Sequence, residues 1–275
     1  MIQRFHGIVV VRGAGDLATG VILRLVRSGF RVAALEIAAP TAIRRTVAFS
    51  EAVYDGEARV EGQLARRAGS ASEAMDFMRD GIVPILVDPL CECLSALSPI
   101  ALVDAILAKR NLGTRPSMAP IVVALGPGFE APRDAHAVVE TNRGHHLGRV
   151  IREGSVEPDT GIPGIVGGRG VERVVHAPAA GVVEALRRIG DGVAAGEPIL
   201  ALCDPDTESR LIVPSALDGT LRGLIRPGIT VRAGLKVADV DPRGETAHCL
   251  SVSDKARAVA GGVLEAILAF GGRPE

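Results

Sequence analysis

The chain has 275 residues, 47% hydrophobic and 23% charged, with a formal net charge of −1. This exceeds the roughly 100–200 residues of an ordinary domain, so one large or two ordinary domains are expected, and the apolar content excludes a disordered chain. Near-zero charge with no Trp, one Tyr and six Phe offers neither an electrostatic footprint nor a stacking surface, which argues against nucleic acid as a partner.

Met1-Ile2-Gln3-Arg4-Phe5-His6 precedes only four apolar residues, Ile8 to Val11, where a secretory leader needs roughly 7–15. No uncharged apolar run approaches the ~18 residues of a membrane span, so a cytoplasmic chain with no membrane partner is expected. Four Cys make no disulfide framework.

The Ile8–Val11 run leads into Arg12-Gly13-Ala14-Gly15-Asp16-Leu17-Ala18, a strand entering a G-x-G-x-x-A turn. Gly13 permits the tight turn, Gly15 lets a phosphate approach the backbone, and Ala18 allows close helix–strand packing. Leu17, Val21, Leu25 and Val26 have helical spacing, and the next strand ends at Glu36, where an acid meets a ribose hydroxyl in dinucleotide sites. Asp16 adds a negative charge where a pyrophosphate would sit. The turn therefore reads either as a nucleotide site or as a tight strand–helix connection. Arg44 and Arg45 follow in a loop suited to bidentate phosphate recognition, or to plain solvation.

Ile82–Val87 and Ile121–Leu125 are further short β-rich runs, so residues 1–170 read as a Rossmann-like α/β domain with a parallel sheet. Cys91-Glu92-Cys93 follows one strand end and could serve redox or selenium handling, although small buried thiols are the commoner case. Gly126-Pro127-Gly128 forms a second glycine turn after a strand. Glu140, Arg143 and His145 lie in a polar loop whose adjacent His pair has poor zinc spacing, so no metal site is expected. The two glycine turns and this loop are expected to share one crevice at the strand ends.

The Gly-rich stretch 154–170 reads as a connector. Beyond it, Gly181 to Ile199 aligns without gaps, 38 positions on, with Gly219 to Val237. Arg188, Gly190, Val193, Ala195 and Gly196 match Arg226, Gly228, Val231, Ala233 and Gly234. The repeat resembles the half-motifs of biotinyl/lipoyl-type domains, so 171–250 is expected to be a β-rich barrel-sandwich hybrid. No Lys lies between Gly181 and Leu235, which argues against covalent biotin or lipoate. Residues 251–275 carry one apolar helix face.

Taken together, the blocks Arg12 to Ala18, Pro40 to Arg45, Lys109-Arg110-Asn111, Leu125 to Phe129, Glu140 to His145 and Asp239 to Arg243 resemble the YqeB family, maturation proteins of selenium-dependent molybdenum hydroxylase systems. The resemblance implies a Rossmann-like domain distantly related to XdhC-type factors. It also implies an accessory role toward a molybdenum hydroxylase apoenzyme, with a nucleotide-bearing cofactor such as the dinucleotide form of the molybdenum cofactor. Gly13, Gly15, Asp16, Ala18, Glu36, Asn111, Gly126, Gly128, Glu140 and His145 would line the site, with Arg44, Arg45, Lys109 and Arg143 neutralising phosphates. The rivals are an NAD(P)-dependent oxidoreductase and a non-enzymatic scaffold. Catalytic residues and oligomeric state stay open.

Overall fold

The computed structural model describes residues 7–205, 207 and 209–271; residues 1–6, on which the leader-free reading leans, lie outside them. The chain divides into two compact units: Met1–Pro40, Ala48–Thr160 and Val252–Glu275 form one, and Thr41–Val47 with Gly161–Ser251 form the other. Two features depart from a partition in strict chain order. The segment carrying Arg44 and Arg45 belongs to the second unit, and the C-terminal helix belongs to the first.

The first unit holds β1 (Ile8–Arg12), β2 (Arg31–Glu36), β3 (Glu57–Val60), β4 (Gln63–Ala68), β5 (Val83–Val87), β6 (Ala101–Asp104), β7 (Ile121–Leu125), β8 (Ala137–Val139) and β9 (Val150–Ile151). Its helices are α1 (Asp16–Arg27), α2 (Ala52–Asp55), α3 (Ala71–Arg79), α4 (Leu94–Leu97) and α5 (Asp254–Phe270). The nine strands form one sheet, ordered β3-β4-β5-β2-β1-β6-β7-β8-β9. Strands β1 and β7 are buried along their whole length, which is why each reads as an unbroken apolar run.

The expected parallel sheet is corrected to a mixed one. Strands β4 to β8 in that order run parallel, while β3 at one edge and β9 at the other run antiparallel to their neighbours. Val60 pairs with Gln63 across Glu61 and Gly62, both at positive φ (46° and 86°), as a two-residue hairpin turn requires. The polar β3–β4 ribbon gave no apolar run to find.

Helix α5 packs through small residues, against α1 and against the loop after β8. A Cβ on Gly20 would stand 2.8 Å from Ala256 Cβ, and one on Gly262 would stand 2.1 Å from the Gly148 carbonyl oxygen. Among the described residues, no helix is long and apolar enough to cross a membrane.

The second unit contains β10 (Val174–His176), β11 (Gly181–Ala185), β12 (Gly192–Val193), β13 (Pro198–Cys203), β14 (Arg210–Pro214), β15 (Gly219–Leu224), β16 (Thr230–Val231) and β17 (Lys236–Asp241). They form two four-stranded antiparallel sheets, β10-β17-β15-β12 and β14-β13-β11-β16. Strands β15, β16 and β17 begin 38 residues after β11, β12 and β13, so the sequence repeat is a repeat of strands. The short middle strand of each copy pairs with the other copy.

A buried ion network lies on β15 and β17. Asp239 pairs with Arg173 and Arg222, and Asp241 pairs with Arg222 and Arg243; both Asp are 1% exposed. Burial alone would raise the Asp241 pKa. The Arg243 side chain and backbone N–H, with the charge of Arg222, outweigh it and hold the carboxyl down at about 2.

Two tests follow from the packing. Gly262→Ala pushes a methyl group against the Gly148 backbone carbonyl and should cost about 1–3 kcal/mol in chemical denaturation. Because the folded pKa of Asp241 lies below the ordinary 3.8, its contribution is complete above that pH and is lost as pH falls toward about 2. Asp241→Asn should be less stable at neutral pH and lose less stability across that acid window, as read by thermal melts at successive pH values.

Candidate functional site

The parallel strands of the first unit all present their carboxyl ends on one edge. The chain leaves β1 for β2 on one side and later enters β6 on the other, so strand order reverses between β1 and β6. Open α/β sheets bind ligands in the crevice outside such a reversal. Two loops emerge here: the Gly13–Gly15 turn and the Ala105–Arg110 segment.

The glycines at this edge differ in why they are glycines. Gly13 has φ +103°, and a Cβ there would lie 3.1 Å from the Ala105 carbonyl oxygen. A Cβ on Gly126 (φ +75°) would meet Thr141 Oγ1 at 2.6 Å, and one on Gly128 (φ +102°) would meet Arg110 Cα at 2.5 Å. Segment 105–110 therefore lies against both glycine turns, and it carries Leu107 and Lys109 in left-handed conformations. Close packing accounts for these three glycines, against backbone at Gly13 and Gly128 and against side chains at Gly126. Gly15 is different: it has φ −67° and ψ −174°, open to any residue, and its Cβ would meet nothing within 4 Å. It is the N-cap of α1 and supplies no side-chain cap.

Glu36, at the end of β2, reaches back to this turn. Its Oε2 accepts from the Ala14 N–H and its Oε1 from the Ile37 N–H, both at 2.9 Å. Burial raises its pKa, and these two bonds oppose the rise. Asp16 accepts from the Leu17 N–H at 2.8 Å, so it helps organise the first turn of α1. Ala18 is buried in that turn.

Arg12, 7% exposed, sits at the reversal itself. It donates to Asp104 Oδ2 and to Thr114 Oγ1 from Nη1, and to the Pro89 and Leu112 carbonyls from Nη2. Asp104 also accepts from Thr114 Oγ1 and the Ile106 N–H. Asn111 closes the same loop, accepting from the N–H groups of Gly113 and Thr114 and donating to the Thr114 carbonyl.

The remaining sequence candidates are spread over several environments. Lys109 pairs with Asp159 at 2.8 Å. Buried Glu140 accepts from the Asn142 and Glu157 N–H groups and so fastens two loops. Arg143 forms a bidentate pair with Asp254 at the start of α5, and the rings of His145 and His146 meet edge to face. In the second unit, Arg44 donates to the His248 and Ser251 carbonyls and Arg45 to the Leu224 carbonyl. The structure thus commits both arginines to interactions that no short-range pattern signals.

Cys91 is buried with φ +62°, and Cys93 is half-buried. Burial raises both thiols. The hydrogen bond from Cys93 to Asp88, with the Asp88 charge, takes Cys93 to about 12, so it stays protonated at neutral pH. Asp88 itself is held below its ordinary value: burial would raise it, but donors from Cys93, Glu92 and Cys91 prevail. Among the described residues, no cluster of three or more His, Cys, Asp or Glu is placed to hold a metal ion. Sequence reasoning gave no role to Arg12, Thr19, Ser50 or Thr114, whose contacts are made only by the tertiary fold.

No family model matches the chain. A curated relative, the "Uncharacterized protein YqeB" of Escherichia coli (strain K12), is 52% identical over 263 residues, which is 96% of this chain and 48% of that protein. The chain spans about half the length of this relative. Among solved structures, a succinylglutamate desuccinylase/aspartoacylase from Rhodobacter sphaeroides aligns at 15% identity and TM-score 0.31, covering 85% of this chain and 84% of that one. An aspartoacylase family protein from Mesorhizobium loti aligns at 13% and 0.30, covering 86% of each chain. The product-bound ectoine utilization protein EutE from Ruegeria pomeroyi aligns at 12% and 0.27, covering 85% and 84%. Likenesses this low transfer no activity. Neither the relative nor these structures is named for molybdenum-hydroxylase maturation or as an XdhC-type factor. The expected maturation role, its selenium and molybdenum chemistry and its hydroxylase partner are accordingly withdrawn. The Rossmann-like and biotinyl/lipoyl-like assignments are withdrawn with them; what stands is one mixed nine-stranded sheet and two four-stranded antiparallel sheets.

Proposed function

We propose that the first unit binds a nucleotide or dinucleotide at the strand-order reversal. Phosphate oxygens would lie over the N-terminus of α1 at Gly15, with a ribose hydroxyl on the partly exposed Glu36 carboxylate. The observation that carries this reading is the contrast among the glycines. Gly13, Gly126 and Gly128 are each crowded by protein backbone or side chain, whereas Gly15 has an unrestricted backbone and open space before it. A glycine that the fold does not need, at the start of a twelve-residue helix, supports close approach by an anion. The dipole at the start of a helix favours negative charge. A cytoplasmic setting agrees with this ligand class. The edge offers binding groups, and the raised thiols do not add a nucleophile.

Differential scanning fluorimetry with ADP, ATP and NAD tests the reading. A ligand at 100 times its Kd stabilises the protein by about 2.7 kcal/mol, a shift of several degrees. Gly15→Val should abolish that shift while costing the unliganded protein no more than about 1 kcal/mol, the loss of a favourable N-cap. Undiminished affinity in folded Gly15→Val would remove the site. Gly128→Ala should behave oppositely, lowering unliganded stability by about 1–3 kcal/mol because of its left-handed backbone and its contact with Arg110.

A further inference from the structure

Strand β14 (Arg210–Pro214) ends the sheet β14-β13-β11-β16, and its far side has no strand beside it among the described residues. The ladder fixes which backbone groups face that open side. The Ser209 carbonyl accepts from the Asp204 N–H at 3.0 Å, and the Ser215 N–H donates to the Glu197 carbonyl at 2.8 Å, so both serines turn their backbone toward the β13 side. Successive residues of an antiparallel strand point their backbone groups alternately to one side and the other. Leu211 and Val213 therefore face β13, and Arg210, Ile212 and Pro214 turn their backbone groups outward. Pro214 stands at one of the outward positions, where its missing N–H costs the sheet no ladder bond.

The side chains of this edge are apolar on both faces. Val213, 4% exposed, lies on the inner face with Leu200 and Leu202; Leu211, opposite Leu202, shares that face yet is 45% exposed. Ile212, on the outer face, is 41% exposed. The core shared by the two sheets is thus open to solvent where β14 ends it. Edges of this kind are usually guarded by charge. Here Arg210 is the strand's charged residue, and Glu184 holds it in a bidentate pair at 2.7 and 2.8 Å. The other edge strands of this unit are shorter: β12 and β16 have two residues and β10 has three.

We propose that β14 is a dimerisation edge, through which two copies of this chain pair antiparallel about a two-fold axis at Ile212. Outward N–H and carbonyl groups require a strand as partner, and exposed apolar side chains on both faces require one that is apolar on both. Among the described residues, β14 is itself the open edge that meets both demands. Pairing about Ile212 sets this residue against its own copy with two backbone bonds. It also sets Arg210 against Pro214 of the other copy, so the two basic residues stay apart and each Arg210 N–H meets a Pro214 carbonyl. Leu211 of each copy comes beside Val213 of the other, which covers the open core at both edges.

Sedimentation velocity on the full chain, across a micromolar to millimolar series, reads the association. The wild type should pass reversibly from monomer to dimer. Ile212→Lys places like charges opposite each other, and Ile212→Pro removes the outward N–H; each should raise the midpoint concentration about tenfold or more. Both substitutions touch an exposed side chain and an unused N–H, so the melting temperature below the midpoint should be unchanged. Leu250→Lys, another exposed position of this unit, should dimerise like the wild type. Register is read separately in a glutathione redox couple. Ile212→Cys should form an intermolecular disulfide and Arg210→Cys should not, since position 212 alone meets its own copy. A wild type that is monomeric throughout overturns the proposal and leaves the edge to a strand of another protein. A dimer that persists in both Ile212 variants also overturns it, and a disulfide at 210 but not at 212 overturns the two-fold pairing.

Discussion

The Arg12 guanidinium holds together the loops at the sheet's point of reversal. It stands at the end of the central strand β1 and is almost wholly buried, and its bonds reach the loops after β5 and β6. A buried charge persists only when paired and hydrogen-bonded. Asp104 supplies the countercharge, Thr114 bridges the two, and the Pro89 and Leu112 carbonyls take the remaining donors of Nη2. The consequence is positional. The loop carrying Cys91 and Cys93 and the loop carrying Lys109 and Asn111 are fixed to the strand that opens into Gly13.

That fixation explains the division among the glycines. Segment 105–110, anchored through Asp104, lies so close to Gly13 and Gly128 that a Cβ would crowd its backbone. A G-x-G pattern in a sequence cannot separate a glycine needed for packing from one needed for a ligand. Only the surroundings of each Cα do so, and they single out Gly15.

Much of the first unit was legible because its central strands are buried on both faces. Ile8–Val11 and Ile121–Leu125 stand out as apolar runs, and Gly181 to Val237 exposes its own repeat. The edge ribbon was not legible: Glu57, Arg59, Glu61, Gln63, Arg66 and Arg67 are what an exposed, charged sheet edge requires, and they mimic a loop. Arg44 and Arg45 look like phosphate ligands in one dimension, yet they donate to carbonyls about 180 to 207 residues away.

The acids at the strand ends share one use that was also hidden from the sequence. Glu36 accepts from Ala14 and Ile37, Asp88 from Glu92 and Cys93, Asp104 from Ile106, and Glu140 from Asn142 and Glu157. In each case a carboxylate at or just past a strand end takes backbone N–H groups and so shapes a loop. This device spends negative charge on the protein's own donors, because a carboxylate with two N–H partners is a weaker repellent than a bare one. An edge rich in acids is then less repellent to an anion than its number of carboxylates suggests. Gly15, at the head of α1, supplies no side-chain cap of its own, while Asp16 and Glu36 already take the Leu17 and Ala14 N–H groups on either side of it.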